Sequence, residues 1–65
     1  MKTQIFKNDN GSDHLILKQN GDIALLVEIG GYGFVVTNYL GHNSWSNGSY
    51  YFDIEDALSD YNSRI

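Results

Sequence analysis

The sequence contains no cysteine and no proline, and only four of its 65 residues are basic. The absence of cysteine excludes disulfides and zinc sites built on thiolates. The formal net charge of −4 argues against non-specific binding to nucleic acid, which requires lysine and arginine to displace counterions. No apolar run approaches the ~20 residues of a membrane span, and no signal-peptide core follows Met1. We therefore expect a cytoplasmic protein.

The length predicts one small domain covering residues 1–65. A chain of this size buries only about 60% of its unfolded surface. Ordering it costs roughly 100 kcal/mol of conformational free energy, which a single thin core barely offsets. Because disulfides and thiolate metal sites are excluded, self-association is the remaining means of stabilisation, and we expect a homodimer.

Asn-Gly and Gly-Gly dipeptides mark the predicted turns, and the first three of them are spaced ten residues apart. Asn-Gly occurs at residues 10–11, 20–21 and 47–48, and Gly-Gly at 30–31. Asn-Gly favours tight type I′ hairpin turns, because both residues tolerate positive φ. The predicted strands cover residues 3–7, 14–19, 22–29, 32–39 and 44–52. The last of these is either one strand bulged at Gly48 or a hairpin turning at Asn47-Gly48, and its short first half favours the bulged strand.

The C-terminal segment has the pattern of an amphipathic helix. Asp53 is the predicted N-cap, with Asp56 three residues later, and Phe52 is placed to pack on Ala57 as a hydrophobic staple. Arg64 suits the negative end of the helix dipole. The apolar stripe comprises Ile54, Ala57, Leu58, Tyr61 and Ile65. The predicted fold is therefore α+β, an antiparallel β-meander of four to five strands followed by one C-terminal helix packed on one face.

One helix cannot cover both faces of such a sheet. Alternation places Ile23, Leu25, Val27 and Ile29 in one row, the natural partner of the helix stripe. The opposite face is also apolar, with Ile16, Ala24, Leu26, Val35 and Tyr39. An uncovered apolar face marks an interaction site. The predicted dimer or partner interface is Ile16, Leu26, Val35, Tyr39, Trp45 and Tyr51. The alternative is a strongly curled sheet that covers its second face with its own loops.

The titratable residues do not indicate catalysis. His14 and His42 are interpreted as structural or surface histidines, and no catalytic, metal-ligating or cofactor-binding residue is predicted. Seven aromatic residues crowd into residues 32–52, while residues 19–63 contain no lysine or arginine. Exposed aromatics without cations favour contact with protein. The alternative is a single-strand nucleic-acid binder that combines these aromatics with Lys2, Lys7 and Lys18.

The solvent side of the helix is acidic. Glu55, Asp56 and Asp60 form either a solvated surface or a contact for a basic partner protein. The interpretation that follows from composition is a non-enzymatic interaction module.

The segment Trp-Ser-Asn-Gly-Ser-Tyr-Tyr-Phe at residues 45–52, followed by Glu-Asp-Ala-Leu at 55–58 and Arg64, resembles a tail found in small uncharacterised proteins of bacterial mobile elements and phages. The resemblance covers about the last third of the chain. It implies an accessory role, such as countering host defence by acting on a host protein. The strand order is also similar to that of the sheet-plus-helix dimers of single-strand-binding transcriptional coactivators, whose basic sheet is missing here.

Overall fold

Five antiparallel strands and one helix make up the fold seen in a computed structural model, which describes residues 4–8, 11–31, 33–38, 40–41 and 44–65. The strands form one sheet in sequential order. This confirms the predicted meander with a C-terminal helix. The elements are β1 (Gln4–Lys7), β2 (Asp13–Asn20), β3 (Ile23–Glu28), β4 (Phe34–Asn38), β5 (Ser46–Tyr51) and α1 (Ile54–Arg64).

The helix begins where the sequence predicts. The Asp53 side chain accepts a hydrogen bond from the Glu55 amide at 2.9 Å, which satisfies one of the free donors of the first turn. Ala57 and Tyr61 are buried against Leu25, and the helix contacts β3, β4 and β5. Among the residues that the structure describes, no helix is long and apolar enough to cross a membrane.

The predicted staple is wrong, because Phe52 is 88% exposed instead of packing on Ala57. The helix N-terminus is held by its cap and by Ala57 against the sheet. The Phe52 ring is therefore a surface feature that helix capping does not explain.

The second face of the sheet is covered by the chain itself. Phe6 of β1 is buried in a cluster on this face, and Leu40 and Trp45, from the segment between β4 and β5, pack against the same cluster. The Phe6 and Trp45 ring centroids lie 5.4 Å apart. The curled-sheet alternative therefore describes this face. The buried members of the cluster are Phe6, Ala24, Leu26 and Val35, with Ile16 also packed against it.

Two register shifts bend the sheet. In β2 the pairing shifts between Ile16 and Lys18, so Leu17 is the extra residue. Lys18 consequently pairs with Leu25, which places it on the helix side of the sheet. Bulges of this kind increase strand twist and curl a sheet.

In β5 the register shifts beside Asn47, which has a φ of 54°. Residues 46–51 nevertheless form one strand that pairs with β4 throughout, so the favoured single bulged strand is confirmed and the hairpin alternative is wrong. Asn tolerates the left-handed conformation better than most residues, which explains its place at the bulge.

The turn between β2 and β3 differs from the predicted type. Asn20 pairs with Ile23, so the two central residues are Gly21 and Asp22. Gly21 has a φ of 61°, and it is the one of the two with positive φ. A glycine with positive φ at the first central position is the pattern of a type II′ turn, which has the same match to strand twist as type I′.

Candidate functional site

A concave pocket of about 120 Å³ opens on the sheet face opposite the helix. Its walls include the Trp45 and Tyr50 rings together with the polar side chains of His14 and Glu28. His14 and Glu28 are direct cross-strand partners on β2 and β3, and Tyr50 of β5 pairs with Val35 on β4. Residues paired in this way point to the same face of the sheet. Four strands therefore converge on one site.

Trp45 reaches the site because Gly48 has no side chain. A Cβ atom at Gly48 would lie 2.8 Å from the Trp45 indole nitrogen and 3.5 Å from a Val35 methyl. The glycine in the β5 bulge thus lets the indole lie against the strand. The Trp45 ring then meets the His14 imidazole edge to face, with centroids 5.0 Å apart and an interplanar angle of 89°.

His14 is 5% exposed, and its Nδ1 atom has no hydrogen-bond partner among the described residues. Burial lowers the pKa of this histidine below its usual 6.5, while the nearby Glu28 and Asp13 carboxylates partly offset the effect. The Ser12 backbone also favours the charged ring, although no hydrogen bond of acceptable geometry joins it to Nδ1. A neutral imidazole at pH 7 offers one nitrogen as an acceptor.

Glu28 lies at the end of β3, where the chain turns through Gly30 and Gly31. Its carboxylate occupies the space that a Cβ atom at Gly31 would need, because such an atom would overlap with a carboxylate oxygen. Gly31 has no positive φ, so this overlap is its steric constraint. The missing side chain at residue 31 therefore determines where the Glu28 carboxylate can lie.

A wider groove of about 520 Å³ adjoins the pocket. Glu28, Gly33 and Tyr50 line both concavities, so the two are continuous. Beyond them the groove is bordered by Phe52 and by the glycine turn. Tyr50 is 70% exposed and Phe52 is 88% exposed, so both aromatic rings are largely open to solvent. Three glycines, Gly30, Gly31 and Gly33, are among the residues that line the groove.

The three acidic residues predicted to share one helix surface lie in two different environments. Glu55 and Asp56 are exposed in the first turn. Asp60, in contrast, faces the sheet, where it accepts hydrogen bonds from the Tyr51 hydroxyl at 2.6 Å and from Arg64 Nε at 2.9 Å. The Arg64 bond is the main cause that lowers the pKa of Asp60. The prediction that Asp60 belongs to the solvent side is therefore wrong, because this carboxylate is already occupied.

Arg64 joins the helix C-terminus to two strands. Its guanidinium donates to the Asn38 side chain at 3.0 Å, to the Asn47 carbonyl at 2.8 Å and to Ser49 Oγ at 3.0 Å. The Asn47 carbonyl is part of the β5 bulge, so the arginine holds the bulge against the helix. We call the group Arg64, Asp60, Tyr51, Asn38 and Ser49 the arginine clamp.

The predicted interface residues do not share one exposed surface. Leu26 and Val35 are buried, and Ile16 is half-buried beside them. Tyr51 pairs with Phe34 and packs against the helix-side core, so its assignment to the second face is wrong. The interface prediction stays a prediction, but Leu26 and Val35 offer it no exposed side-chain surface.

Trp45 is the predicted interface residue that the structure places in the pocket with an accessible ring, since it is half-buried there. Tyr39 and His42 lie outside the described residues, as do Lys2 and the Asn10 half of the first predicted turn.

The lysines of the nucleic-acid alternative lie away from the aromatics. Lys7 pairs with Asp13 and Lys18 with Leu25, which puts both on the helix side of the sheet, whereas Tyr50 lies on the other side. No observation here favours a phosphate backbone beside Tyr50, since the carboxylate of Glu28 lies in the same site.

The comparisons with known proteins give no family. No protein-family model, no curated protein and no solved structure matches the chain. Metal binding also has no ligand set in the part of the chain that the structure describes, which contains no group of three or more histidine, aspartate or glutamate side chains placed to hold an ion.

Sequence reasoning missed three residues of the pocket, His14, Glu28 and Tyr50, as members of a common site. His14 was interpreted as structural, which agrees with its burial but overlooks its open Nδ1 atom. The available signal was alternation. His14 lies two residues before Ile16, and Glu28 two residues after Leu26, on the face already predicted to carry contacts.

Proposed function

We propose that this protein is a non-enzymatic interaction module that self-associates and binds a second protein. The observation that carries the proposal is the exposure of large apolar side chains in two separate places. One is the aromatic rim of the groove, formed by Tyr50 and Phe52. The other is the β1–β3 patch, defined as Ile5, Leu15, Val27 and Ile29.

The β1–β3 patch lies on the helix side of the sheet, beyond the reach of the helix. Leu15 pairs with Ile5 and Val27, so the three side chains form one row. Helix α1 contacts β3, β4 and β5, and among the described residues no further element packs on β1 and β2 on this face. Ile5 is 56% and Ile29 47% exposed. These two side chains support the proposal on the helix side of the sheet, whereas the sequence predicted the interaction surface on the opposite face.

A second copy of the chain is the occupant that the charges of this patch favour. Lys7 and Asp13 are paired on β1 and β2 at its border. In a two-fold arrangement each copy presents the same surface to the other, so a patch that carries both signs of charge at its border does not face its copy with like charges alone.

Self-association is tested by sedimentation velocity from micromolar to millimolar concentration. The wild-type chain, of 7.3 kDa, is expected to shift toward twice that mass as concentration rises. The double variant Ile5→Thr/Ile29→Thr is expected to remain at the monomer mass, because threonine keeps strand propensity but removes the apolar contact.

Ile65→Thr is the matched control for this experiment. Ile65 is also an exposed isoleucine, but it follows the helix C-terminus beside Arg64 and is not part of the patch. The control should associate like the wild type. A wild-type chain that stays at 7.3 kDa throughout the range would contradict the homodimer.

The second protein contact is assigned to Tyr50 and Phe52. Aromatic side chains are enriched in the energetically dominant positions of protein interfaces. A basic partner suits the net charge of −4 and the exposed acidic residues Glu55 and Asp56. The resemblance of residues 45–64 to tails of phage and mobile-element proteins supports a host protein as that partner. Function as an accessory protein of this kind is part of the same proposal.

A further inference from the structure

We infer that the pocket formed by Trp45, Tyr50, Glu28 and His14 binds the cationic side chain of a lysine or arginine from an extended segment of the partner, which lies in the adjoining groove. This inference rests on the proposed function, because it specifies the chemistry of the protein partner. Glu28 and Tyr50 line both the pocket and the groove, so one polypeptide can occupy both.

The size of the pocket selects a single side chain. The pocket has a volume of about 120 Å³, whereas sites for cofactors and other small molecules are usually about 300 Å³ or more. An ammonium group with its neighbouring methylenes, or a guanidinium, fits this space.

The walls of the pocket favour a positive charge. Glu28 is a half-buried acidic residue in the wall of the pocket, and a cation beside it would pair with its charge. Trp45 and Tyr50 present aromatic rings, which attract a cation within about 6 Å of the ring centroid. The Nδ1 atom of His14 adds a polar group without a partner among the described residues.

The chain supplies no cation of its own to this site within its described part. Residues 19–63 contain no lysine or arginine. Lys7 and Lys18 lie on the opposite side of the sheet, and Arg64 is held by Asp60 at 2.9 Å. Among the described residues none places a cation at Glu28, which leaves this carboxylate open to a cation from a partner.

The groove gives the partner backbone a place to lie. Gly30 and Gly31 lower one wall, so a second chain can approach the backbone closely, and the Phe52 ring borders the same surface. Recognition by an aromatic rim with one charged pocket is a common arrangement for extended peptides.

Binding is measured with blocked pentapeptides of the sequence Gly-Gly-X-Gly-Gly, in which X is lysine, arginine, norleucine or glutamate. Trp45 is the only tryptophan of the chain, so its fluorescence reports on the pocket directly. The lysine and arginine peptides are expected to bind at least about tenfold more tightly than the norleucine peptide, a difference of about 1.4 kcal/mol. The glutamate peptide should not bind.

Two variants and one control locate the effect. Glu28→Gln is expected to weaken binding of the lysine peptide by about tenfold or more. Gly31→Ala should weaken it as well, since the new methyl group displaces the carboxylate without changing any charge. Asp22→Asn makes the same charge change at an exposed position in the turn between β2 and β3, outside the pocket and the groove, and should leave affinity unchanged.

Equal binding of lysine and norleucine peptides would overturn the inference, and so would equal losses in Glu28→Gln and Asp22→Asn, since both would show a non-specific contact. If Glu28→Gln does not fold, Gly31→Ala decides. Failure of all peptides to bind the folded wild type also contradicts the inference, while the sedimentation result on the β1–β3 patch remains a separate test of the proposed function.

Discussion

Thr37 is buried in the middle of β4, and its hydroxyl oxygen has no hydrogen-bond partner among the described residues. It pairs with Ala24 on the second face of the sheet, where its neighbours Ala24 and Leu26 are apolar. A buried hydroxyl without a partner costs free energy, because it loses its hydrogen bonds to water. The Thr37 hydroxyl therefore contributes no hydrogen bond within the described part of the chain.

Replacing Thr37 by valine is expected to stabilise the protein by about 1 kcal/mol, since the change removes the hydroxyl and keeps the shape of the side chain. The free energy of unfolding in urea measures the effect. The control for this substitution is Thr37→Ser. It keeps the hydroxyl and loses a methyl, and it should destabilise. A destabilised valine variant would show that the hydroxyl has a partner.

His14 couples stability to pH. Its pKa in the folded protein is lowered below 6.5, mainly by burial, so folding favours the neutral ring. The stabilisation is fully present above pH 6.5 and is lost as the pH falls from there through the lower folded pKa, because the unfolded chain then binds more protons.

We therefore expect the free energy of unfolding to decrease as the pH falls from about 7.5 to about 5, a range in which aspartate and glutamate change little. In His14→Phe this slope should be reduced, since phenylalanine retains an aromatic ring beside Trp45 but does not titrate. Urea unfolding at several pH values gives both slopes. Identical slopes in wild type and variant would mean that another group, such as His42, is responsible.

At the scale of elements, the arginine clamp fixes the helix to the sheet. Arg64 contacts β4 through Asn38 and β5 through Ser49 and the Asn47 carbonyl. The sequence assigned Arg64 only a favourable interaction with the helix dipole. The structure shows that it also positions the strand that presents Tyr50, although it lies outside the pocket.

Arg64→Lys is expected to destabilise the protein by about 2 kcal/mol, because a single ammonium cannot reach the partners that a planar guanidinium bridges. The measurement is the thermal midpoint together with the free energy of unfolding in urea. Arg64→Ala should cost at least as much. A lysine variant as stable as wild type would show that the charge alone, paired with Asp60, holds the helix.

At the scale of the whole molecule, stability and association are linked. Ile5 and Ile29 of the β1–β3 patch are exposed in a single copy, and a partner that binds only the folded state stabilises that state by mass action. The thermal midpoint of the wild type should therefore rise with protein concentration. In Ile5→Thr/Ile29→Thr it should be independent of concentration, and differential scanning calorimetry at several concentrations decides. A concentration-independent wild type would contradict the homodimer.

Sequence reasoning predicted the order and type of the elements because these depend on local signals. Alternating apolar residues, glycine turns and the Asp53 cap were sufficient for five strands and a helix. The helix-side core of Leu25, Ala57 and Tyr61 followed from the match between a strand row and a helix stripe. For His14 the sequence left a structural and a surface position open, and the structure shows that the side chain is buried.

Register and loop packing were decided only by the tertiary structure. Continuing the pairing of Asn20 with Ile23 without a bulge would place His14 opposite Ile29, and the extra residue Leu17 brings it opposite Glu28 instead. A register shift of one residue gives every later side chain a different cross-strand partner. The fold of Trp45 onto the second face depends in the same way on long-range contacts with Phe6, which no local pattern encodes. The sequence by itself determined which segments are strands and helix, because those preferences are local. Only the three-dimensional packing determined which face is covered and which side chains meet in the pocket.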